Sequence, residues 1–413
     1  MPGVGIVWSF HRLIQSTSPG KGKNKCGIPS ENRHCNRPGF AYRVFMGNLD
    51  SHLHVALACG GTGGHIFPGL ATAEVLHARG HTITLWLAGK DIEAEAVGDR
   101  PWTMYTVPAK GFEGGWKKAP GILLGLMRAK KISRAYMRQD VPDVLLGMGS
   151  YACTGPVSAA LKLGVPVVLH EANAVPGKAV AYFASRATRV AASFEATRHA
   201  LKNKARLDMT GLPLRAELSA AARMPRSPRE AGDPFRILCM GGSRGARALN
   251  QIVRRAVRDL HGREPNIFIT HLSGREDVEE VRTCYEKAGV PHRVAAFEHD
   301  MASVYRETDL AVCRAGAATC AELSVFGIPA LLVPYPFAAR NHQFANAEEF
   351  SRLNAADVIE ERDLEVGWLT DYFEGCIHTP ERLERMRLNL RRRGGDHAAE
   401  RLADLVQEAA ADG

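Results

Sequence analysis

From residue 54 onward, short apolar runs alternate with longer stretches in which apolar and polar positions follow a helical period. The runs in the first half are HVALAC (54–59), TITLWL (82–87), VLLG (144–147) and PVVLH (166–170). The stretches at 68–79, 119–138 and 155–163 predict helices. Strands and helices that alternate in this way form a parallel sheet with helices on both faces. The first half is therefore predicted to be a doubly wound α/β domain.

The alternation is interrupted once and then starts again. Residues 213–234 are rich in Pro, Ala, Arg and Ser and contain no apolar run, which is typical of an interdomain connection. New strands are predicted at RILCM (236–240), NIFITHL (266–272), LAVC (310–313) and PALLVP (329–334). The predicted organisation is a leader at 1–50, a first Rossmann-like domain at 51–212, a linker at 213–234, a second Rossmann-like domain at 235–395 and a C-terminal helix at 396–413.

A glycine-rich turn follows the first strand of each half, GGTGGH at 60–65 and GGSRGA at 241–246. Glycine lets the backbone turn sharply and approach an anion, and the free N–H groups of the following helix attract negative charge. Two such turns predict phosphate binding at the carboxyl ends of both sheets. No acidic residue ends the second strand in TITLWLAGK, so the dinucleotide fingerprint is not matched and NAD is not expected.

His65 ends the first glycine turn, at the start of the helix that follows. The positive end of a helix disfavours the protonated imidazole, which keeps the ring neutral and able to accept a proton. His65 is therefore a candidate general base. A histidine that only caps the helix or hydrogen-bonds the loop explains the same position about equally well.

Two more strand ends in the first half carry polar residues. GMGSYACTGP (147–156) offers a second anion cradle, which suits a diphosphate, although a tight strand-to-helix turn explains it too. HEANAVPG (170–177) places His170, Glu171 and Asn173 at the same edge of the sheet. Polar side chains are therefore predicted to converge on one cleft.

The second half repeats these devices with different side chains. Ser243 in CMGGSRGARALN (239–250) can donate its hydroxyl to a phosphate oxygen. Glu322, in the helix after CRAGAAT, can accept hydrogen bonds from a ribose diol, unless it is a solvated helix residue. ARNHQFANA (339–347) offers Gln343 and Asn346 to sugar hydroxyls, with an ordinary helix N-terminus as the alternative. The second domain thus offers groups for phosphate, ribose and sugar.

Charge is unevenly distributed along the 413 residues. Residues 1–45 hold seven Lys and Arg against one Glu, so most of the net charge of +9 lies in this leader. It lacks the continuous apolar core of a secretory signal, and disorder, a start at Met46 or an organelle transit peptide are the alternatives. Nucleic-acid binding is not expected, because the remaining charge is small. The nine scattered cysteines form no C-x-x-C pair and are typical of the reduced core of a cytosolic protein.

One amphipathic stretch bears on location. WKKAPGILLGLMRAKKISRAYMR (116–138) sets apolar residues, among them Leu124 and Met127, beside seven cations. Such a stretch can rest on an anionic membrane surface, and an ordinary helix packed on the sheet is the alternative. No apolar stretch in the sequence approaches the roughly 20 residues of a membrane-spanning helix.

From the first strand to the C-terminal helix the chain resembles the MurG family, because seven motifs occur in the family's order: GGTGGH, GMGSYACTGP, HEANAVPG, TGLPLR, GGSRGA, CRAGAAT and NHQ-x-x-NA. These enzymes are UDP-N-acetylglucosamine–N-acetylmuramyl-(pentapeptide) pyrophosphoryl-undecaprenol N-acetylglucosaminyltransferases. The resemblance implies a GT-B fold, two Rossmann-like domains with parallel sheets facing across a cleft. It also implies inverting transfer of N-acetylglucosamine from UDP-GlcNAc to lipid I, forming lipid II for peptidoglycan, by a peripheral enzyme at the cytoplasmic face of the cell membrane.

The resemblance also assigns residues by motif. His65 would be the general base, and loops containing Gly61, Gly149, Ser150 and Tyr151 would hold the acceptor diphosphate. The donor contacts would be Thr62, Gly63, Gly64, Asn173, Arg215, Ser243, Glu298, Glu322 and Gln343, with Glu298 near the uracil, Glu322 on the ribose and Gln343 on the sugar. No D-x-D carboxylate pair stands beside the proposed diphosphate site, so neither a metal nor a cofactor is expected.

Other hypotheses stay open on the sequence alone. The chain could act on a different lipid acceptor, as a diacylglycerol glycosyltransferase does, or be a UDP-sugar epimerase. It could also be an inert nucleotide-sugar-binding scaffold of the cell-wall machinery, with other cell-wall synthesis proteins as partners. The two loops suited to a diphosphate favour lipid I as acceptor, and the presence of His65, Asn173 and Glu322 favours an enzyme.

Overall fold

The computed structural model describes residues 52–107, 119–201, 206–226, 230, 232–242 and 245–412, with side chains from residue 124 onward in the helix that begins at 119. Within these ranges the first sheet has seven parallel strands in the order β3-β2-β1-β4-β5-β6-β7. Its strands are β1 (His54–Ala58), β2 (Thr82–Leu87), β3 (Thr103–Thr106), β4 (Val144–Gly147), β5 (Val167–Glu171), β6 (Arg189–Ala192) and β7 (Leu207–Met209). The strand order reverses at β1, which lies between β2 and β4.

The second sheet repeats this arrangement. Its described strands are parallel and follow the order β10-β9-β8-β11-β12-β13. They are β8 (Phe235–Met240), β9 (Ile267–Leu272), β10 (His292–Ala295), β11 (Leu310–Cys313), β12 (Ala330–Leu332) and β13 (Asp357–Val358). Here β8, the first strand of the domain, lies at the point of reversal between β9 and β11. In such sheets ligands bind beyond the carboxyl ends of the strands at this point.

Helices connect the strands and cover both sheets. In the first half they are α1 (Gly63–Ala78), α2 (Asp91–Val97), α3 (Ala119–Gln139), α4 (Thr154–Leu163), α5 (Lys178–Phe183) and α6 (Ala196–Leu201). The later helices are α7 (Ala216–Arg223), α8 (Arg247–His261), α9 (Val278–Ala288), α10 (Met301–Glu307), α11 (Ala317–Phe326), α12 (His342–Arg352), α13 (Val366–His378), α14 (Pro380–Arg393) and α15 (Ala398–Ala411). None of these described helices is long and apolar enough to span a membrane.

Each sheet is buried on both faces, as β1 illustrates. Val55 and Leu57 pack in one apolar cluster, which also contains residues of α1. Ala56 and Ala58 point to the opposite face and pack in a second cluster with residues of α4. Side chains alternate between the two faces of a strand, so a strand buried on both faces must be apolar throughout. This explains why the central strands are continuous apolar runs in the sequence.

The C-terminal helix belongs to the core of the first domain. Leu402, Leu405 and Val406 of α15 are buried in the cluster that contains Val55 and Leu57 of β1. The chain therefore returns to its first sheet after it has completed the second. The predicted linker also contains a helix, α7, whose Leu218 is buried in a core cluster with residues of the second domain.

Arg393, at the end of α14, joins the two domains. Its guanidinium lies 4.9 Å from the ring centre of Phe194 and 4.7 Å from that of Phe350, which belong to the first and second domains respectively. One of its N–H groups donates to the carbonyl of Ser193 at 2.7 Å. A planar cation between two aromatic rings adds electrostatic attraction to the apolar contact of the rings.

The predicted α/β class with two parallel sheets is confirmed, and the eight predicted strands are found with ends that differ by at most two residues. The sequence reading missed β6 and all four edge strands, which are β3, β7, β10 and β13. Edge strands are short and half exposed, so they carry polar residues, as in TMYT of β3 and HRVA of β10. The pattern that marks a buried strand is therefore absent from them.

Candidate active site

The first glycine turn lies between β1 and α1, at the reversal point of the first sheet. A Cβ atom at Gly60 would stand 2.5 Å from the backbone nitrogen of Ala88, so only glycine fits against the end of β2. Gly61 has a φ of 135°, which disfavours any other residue. Thr62 then precedes the helix without capping it through its side chain. The turn thus leaves the first N–H groups of α1 facing the carboxyl edge of the sheet.

Glu93 holds this turn in place. Its Oε1 accepts a hydrogen bond from the Gly61 N–H at 2.6 Å. Its Oε2 accepts from the N–H groups of Ala88, Gly89 and Lys90, at 2.9, 2.8 and 3.1 Å. The side chain is almost completely buried. A buried carboxylate with this many backbone donors fixes the relative position of the two loops that it joins.

His65 is half-buried, and its Nδ1 lies 3.0 Å from the Thr62 hydroxyl oxygen. Burial, and secondly the charge of Lys90, lowers the pKa of His65 to about 4. The imidazole is therefore neutral at physiological pH, as expected from the sequence, although burial rather than the helix end is the main cause. When Nδ1 carries the proton and donates to Thr62, the unprotonated Nε2 is the atom able to accept a proton.

Ser150 joins the second strand-to-helix turn to the first. Its hydroxyl donates to the carbonyl of Gly60 and accepts from the N–H of Ala152 at 3.1 Å. A Cβ at Gly61 would lie 3.1 Å from the Cβ of Ser150, which shows how closely the turns approach. Gly149 has a φ of 88°, and a Cβ there would lie 3.1 Å from the carbonyl oxygen of His170. Tyr151 begins the short 3₁₀ helix that follows. Three of the predicted loops are therefore brought together.

The third loop begins with two buried ionisable residues. Nε2 of His170 lies 3.0 Å from the carbonyl oxygen of Gly211, and burial lowers the pKa of this histidine to about 4. Glu171 accepts from the N–H groups of Asn173 and Gly177, at 3.0 and 2.7 Å. Burial raises the pKa of Glu171, and these hydrogen bonds oppose the rise. Glu171 thus holds the backbone of the loop that presents Asn173, and His170 connects the start of this loop to Gly211.

Asn173 meets the second domain through Asn346, which is fully buried. The Asn346 amide donates to Oδ1 of Asn173 at 3.2 Å and to the carbonyl of Ala315 at 3.1 Å. Its own oxygen accepts from the N–H of Ala174 at 2.9 Å. Because Oδ1 of Asn173 accepts one of these bonds, its amide nitrogen is oriented away from Asn346. We call the Asn173–Asn346 pair the amide clasp.

Arg215 and Glu322 approach each other from different elements. Arg215 precedes α7, and its guanidinium lies 5.6 Å from the ring centre of Phe67 on α1. Glu322 lies on α11 and accepts a hydrogen bond from the Tyr305 hydroxyl at 2.6 Å. Burial raises the pKa of Glu322, whereas the Tyr305 hydrogen bond and the charge of Arg215 lower it. Arg215 therefore contacts the helix that follows the first glycine turn and acts electrostatically on the carboxylate of the second domain.

The remaining predicted residues are distributed around the second sheet. Gly245 has a φ of 75°, and a Cβ there would lie 2.5 Å from the carbonyl oxygen of Ser273, so the second glycine turn is as tight as the first. Ser243 lies outside the described residues. Gln343 accepts from the N–H of Tyr335 at 2.9 Å. The carboxylate of Glu298 pairs with Arg293 and accepts from the N–H of Asp300 at 2.9 Å, so it is engaged within its own loop.

Sequence reasoning missed Glu93 and Tyr305. Glu93 in KDIEAEAV resembles an exposed residue of a charged helix, and only its distance from Gly61 reveals its role. Tyr305 in MASVYRE has the spacing of an ordinary core residue. Its importance follows from the contact with Glu322, which is 17 positions away in the sequence. No local pattern could have identified either residue.

Two family models match the chain over most of its length. The glycosyltransferase family 28 N-terminal domain matches residues 55–192, and the glycosyltransferase family 28 C-terminal domain matches residues 236–408. The first range covers β1 to β6, and the second covers the other sheet and most of α15. The family models and the two Rossmann-like domains thus define a glycosyltransferase.

Individual relatives agree. Two relatives, from Acidithiobacillus ferrooxidans (strain ATCC 53993 / BNL-5-31) and Halorhodospira halophila, are each 37% identical to this chain. Both are named "UDP-N-acetylglucosamine--N-acetylmuramyl-(pentapeptide) pyrophosphoryl-undecaprenol N-acetylglucosamine transferase". Each alignment covers 86% of this chain, together with 97% of the first relative and 98% of the second. The crystal structure of Acinetobacter baumannii MurG is 30% identical, with a TM-score of 0.72 over 86% of this chain and 99% of that one. The chain belongs to glycosyltransferase family 28 and, within it, to the MurG family.

More distant structures share the fold alone. The UDP-GlcNAc 2-epimerase from Neisseria meningitidis bound to UDP-GlcNAc is 13% identical to this chain, with a TM-score of 0.63 over 86% of it. This likeness shows how widely the two-domain architecture is used, and it says nothing about the reaction of this chain.

Proposed function

We propose that this chain transfers N-acetylglucosamine from UDP-GlcNAc to the C4 hydroxyl of the muramyl sugar of lipid I, with inversion at the anomeric carbon, and so forms lipid II. The relatives' names describe this transfer. The structural observation that supports it most directly is the position of Arg215, which contacts α1 of the first domain and acts electrostatically on Glu322 of the second. Phe67, two residues after His65, lies beside Arg215, whose charge acts on Glu322. A candidate base and candidate donor-binding groups are thereby linked.

His65 would remove the proton from the attacking hydroxyl. The ring is neutral because burial lowers its pKa, and the Thr62 contact orients it. A positioned base of this kind contributes about 10²–10⁴-fold to the rate. Because the pKa of protonated His65 is low, the neutral ring is a weak base. The hydroxyl proton would therefore move late, as the oxygen forms its bond to the anomeric carbon. The closely packed turns around Gly61 and Ser150 would hold the acceptor diphosphate near this atom, with Gly149 and Tyr151 in the same loops.

The donor would lie against the second domain. Glu322 would accept hydrogen bonds from the ribose, Gln343 and Asn173 would contact the sugar, and Arg215 would stabilise the negative charge that develops on the departing UDP. Thr62, Gly63 and Gly64 would approach from the first domain, and Ser243 would contact the phosphates. At Glu298 we expect the uracil to contact the backbone, because the carboxylate is already paired with Arg293. We expect no metal or cofactor to take part, because no D-x-D carboxylate pair stands beside the proposed diphosphate site.

The direct test is transfer of labelled N-acetylglucosamine from UDP-GlcNAc to a short-chain lipid I analogue, with protein that begins at Met46. We expect a lipid II product with a β linkage. A diacylglycerol acceptor, and UDP-GlcNAc alone assayed for epimerisation, serve as parallel arms. Binding of UDP-GlcNAc without transfer to lipid I would overturn the assigned acceptor, and activity in a parallel arm would identify the alternative.

We further propose that the enzyme makes peripheral contact with the anionic cytoplasmic face of the cell membrane through α3. Leu124 and Met127 have 69% and 61% of their surface exposed. The exposed cations Arg128, Lys130 and Lys131 lie on the same helix. Each cation near an anionic surface contributes about 1 kcal/mol, and the two apolar side chains can enter the interface.

Sedimentation with vesicles tests this contact. We expect the protein to bind vesicles rich in phosphatidylglycerol, and the double variant Leu124→Ser/Met127→Ser to bind them several-fold more weakly. Leu388→Ser is the matched control, because Leu388 is 45% exposed on α14, another helix rich in arginine. Equal losses in both variants would contradict a specific role for α3. We also propose other cell-wall synthesis proteins as binding partners. The exposed side of α3 is the surface whose binding to them should be tested.

A further inference from the structure

Tyr305 forms a hydrogen bond that the reaction described above does not use. The residue lies on α10 and is almost fully buried, with its ring centre 5.1 Å from that of Phe326. Its hydroxyl donates to Oε2 of Glu322 at 2.6 Å. The sulfur of Met240, at 3.7 Å, is the other acceptor within reach. A carboxylate is a much stronger acceptor than a thioether, so the proton of the hydroxyl points to Glu322.

The hydroxyl of Tyr305 stays protonated, and so able to donate, at physiological pH. Burial, followed by the negative charge of Glu322, raises the pKa of Tyr305 well above its ordinary value. The hydrogen bond in turn favours the ionised form of Glu322, because it lowers a pKa that burial has raised. The pair is therefore a phenol that donates and a carboxyl group that accepts, in a setting whose burial favours the protonated acid.

The other oxygen of the Glu322 carboxylate, Oε1, is available to bind a ligand. Glu322 is half-exposed, and among the residues that the structure describes Tyr305 is the one whose side chain donates to it. Arg215 acts on it electrostatically without reaching ion-pair distance. A carboxylate with one oxygen fixed and the other open can accept two hydrogen bonds from the neighbouring hydroxyls of a sugar ring.

We propose that Tyr305 is a positioning residue for the nucleotide ribose: by holding Oε2 of Glu322, it directs Oε1 toward the 2′ and 3′ hydroxyls of the uridine moiety. This inference rests on the proposed function, in which Glu322 contacts the ribose. Without the hydroxyl of Tyr305 the carboxylate rotates more freely and takes up a proton more readily. Both changes weaken recognition of the diol, and neither affects the uracil or the phosphates.

The test compares the binding of UDP with that of 2′-deoxy-UDP and 3′-deoxy-UDP by calorimetry. Tyr305→Phe keeps the ring and removes only the hydroxyl, so we expect the melting temperature of the free protein to change little. We expect its Kd for UDP to rise about tenfold, the typical effect of one hydrogen bond to a charged group. Its Kd for the deoxy analogues should change less than twofold. The loss of UDP affinity at low pH should also begin at a higher pH in the variant.

Two further variants distinguish a failure of the positioning role of Tyr305 from a failure of the ribose role of Glu322. Tyr372→Phe is a matched control, because Tyr372 also donates from a buried ring to a carboxylate, Asp357, at 2.8 Å; we expect no change in UDP binding. Glu322→Gln tests the underlying assignment. Unchanged UDP binding in Glu322→Gln would overturn the ribose role of Glu322 and this inference with it. Weak binding in Glu322→Gln together with equal losses for UDP and the deoxy analogues in Tyr305→Phe would overturn the positioning role alone.

Discussion

The carboxyl edges of the two sheets carry different chemistry on the same architecture. At the first edge, His65 and His170 both have pKa values lowered to about 4, and Glu171 lies beside them with a raised pKa. At the second edge, the half-exposed carboxylate of Glu322 accepts a hydrogen bond from a tyrosine, and amide side chains lie nearby. We therefore propose that the first edge supplies the group that moves a proton and that the second edge binds the nucleotide sugar. Repetition of a fold determines where ligands bind, whereas the side chains determine what happens there.

A second difference concerns how each domain is completed. The second sheet is covered by helices that lie near it in sequence, but the first sheet also needs α15 from the far end of the chain. The amide clasp and Arg393 add contacts between the domains. The first domain is thus the one whose stability depends on the complete chain.

The largest effect is expected at the carboxyl edge of the first sheet, when the proposed base His65 is removed. His65→Ala should lower kcat by about 10²–10⁴-fold, because it removes the group that we propose takes the hydroxyl proton. The Kd for UDP-GlcNAc should stay within a few-fold, since the donor is held mainly by the second domain. Radiolabel transfer and calorimetry measure the two quantities. An unchanged kcat would show that His65 is not the base.

Next in size is the effect of removing a buried side chain from α15. Leu402 is fully buried in the core of the first domain, so Leu402→Ala should lower the free energy of unfolding by about 2–5 kcal/mol. Hydrogen exchange should show that β4, β5 and β6 lose protection more than the strands of the second sheet. Leu388→Ala, at an exposed position on α14, is the control and should cost less than about 0.5 kcal/mol. Equal loss of protection in both sheets would contradict the unequal dependence on α15.

A smaller effect is expected at the binding edge. Glu322→Gln keeps the shape of the side chain but weakens the acceptor for the ribose, so the KM for UDP-GlcNAc should rise about 10-fold or more with kcat changed much less. Steady-state kinetics with varied donor and saturating lipid I analogue measure this split. A fall in kcat with unchanged KM would place Glu322 with the catalytic groups instead.

The smallest effect concerns stability against pH. Burial lowers the pKa of His170 to about 4 and that of His271 to about 3, from 6.5. Because the unfolded chain binds protons more readily at these sites, stability should fall as the pH drops from 6.5 toward 4. His271→Gln should make this fall less steep, which urea titrations at several pH values can measure. The raised pKa of Glu171 has the opposite effect on how stability changes with pH. The test therefore compares the slope of stability against pH in the variant with the slope in the parent. Identical slopes would contradict the prediction.

The sequence predicted much of this molecule, and its failures have physical causes. It located the central strands, since strands buried on both faces must be apolar, and both glycine turns, since a backbone at positive φ requires glycine. It missed every edge strand for the converse reason. For the candidate site, it named His65, Asn173, Arg215 and Glu322, whose roles stay predictions. It could not foresee that Glu298 pairs with Arg293.

What the sequence determined by itself was local: the alternation of strands and helices, the repeated glycine turn and the order of the family's motifs. The tertiary structure decided which distant residues meet. Glu93 reaches Gly61, Tyr305 reaches Glu322, and Asn346 reaches Asn173 across the two domains. The packing of α15 on the first sheet was decided in the same way. Local patterns record whether a residue is buried, but the partner of a buried polar group depends on how the sheets and helices are brought together.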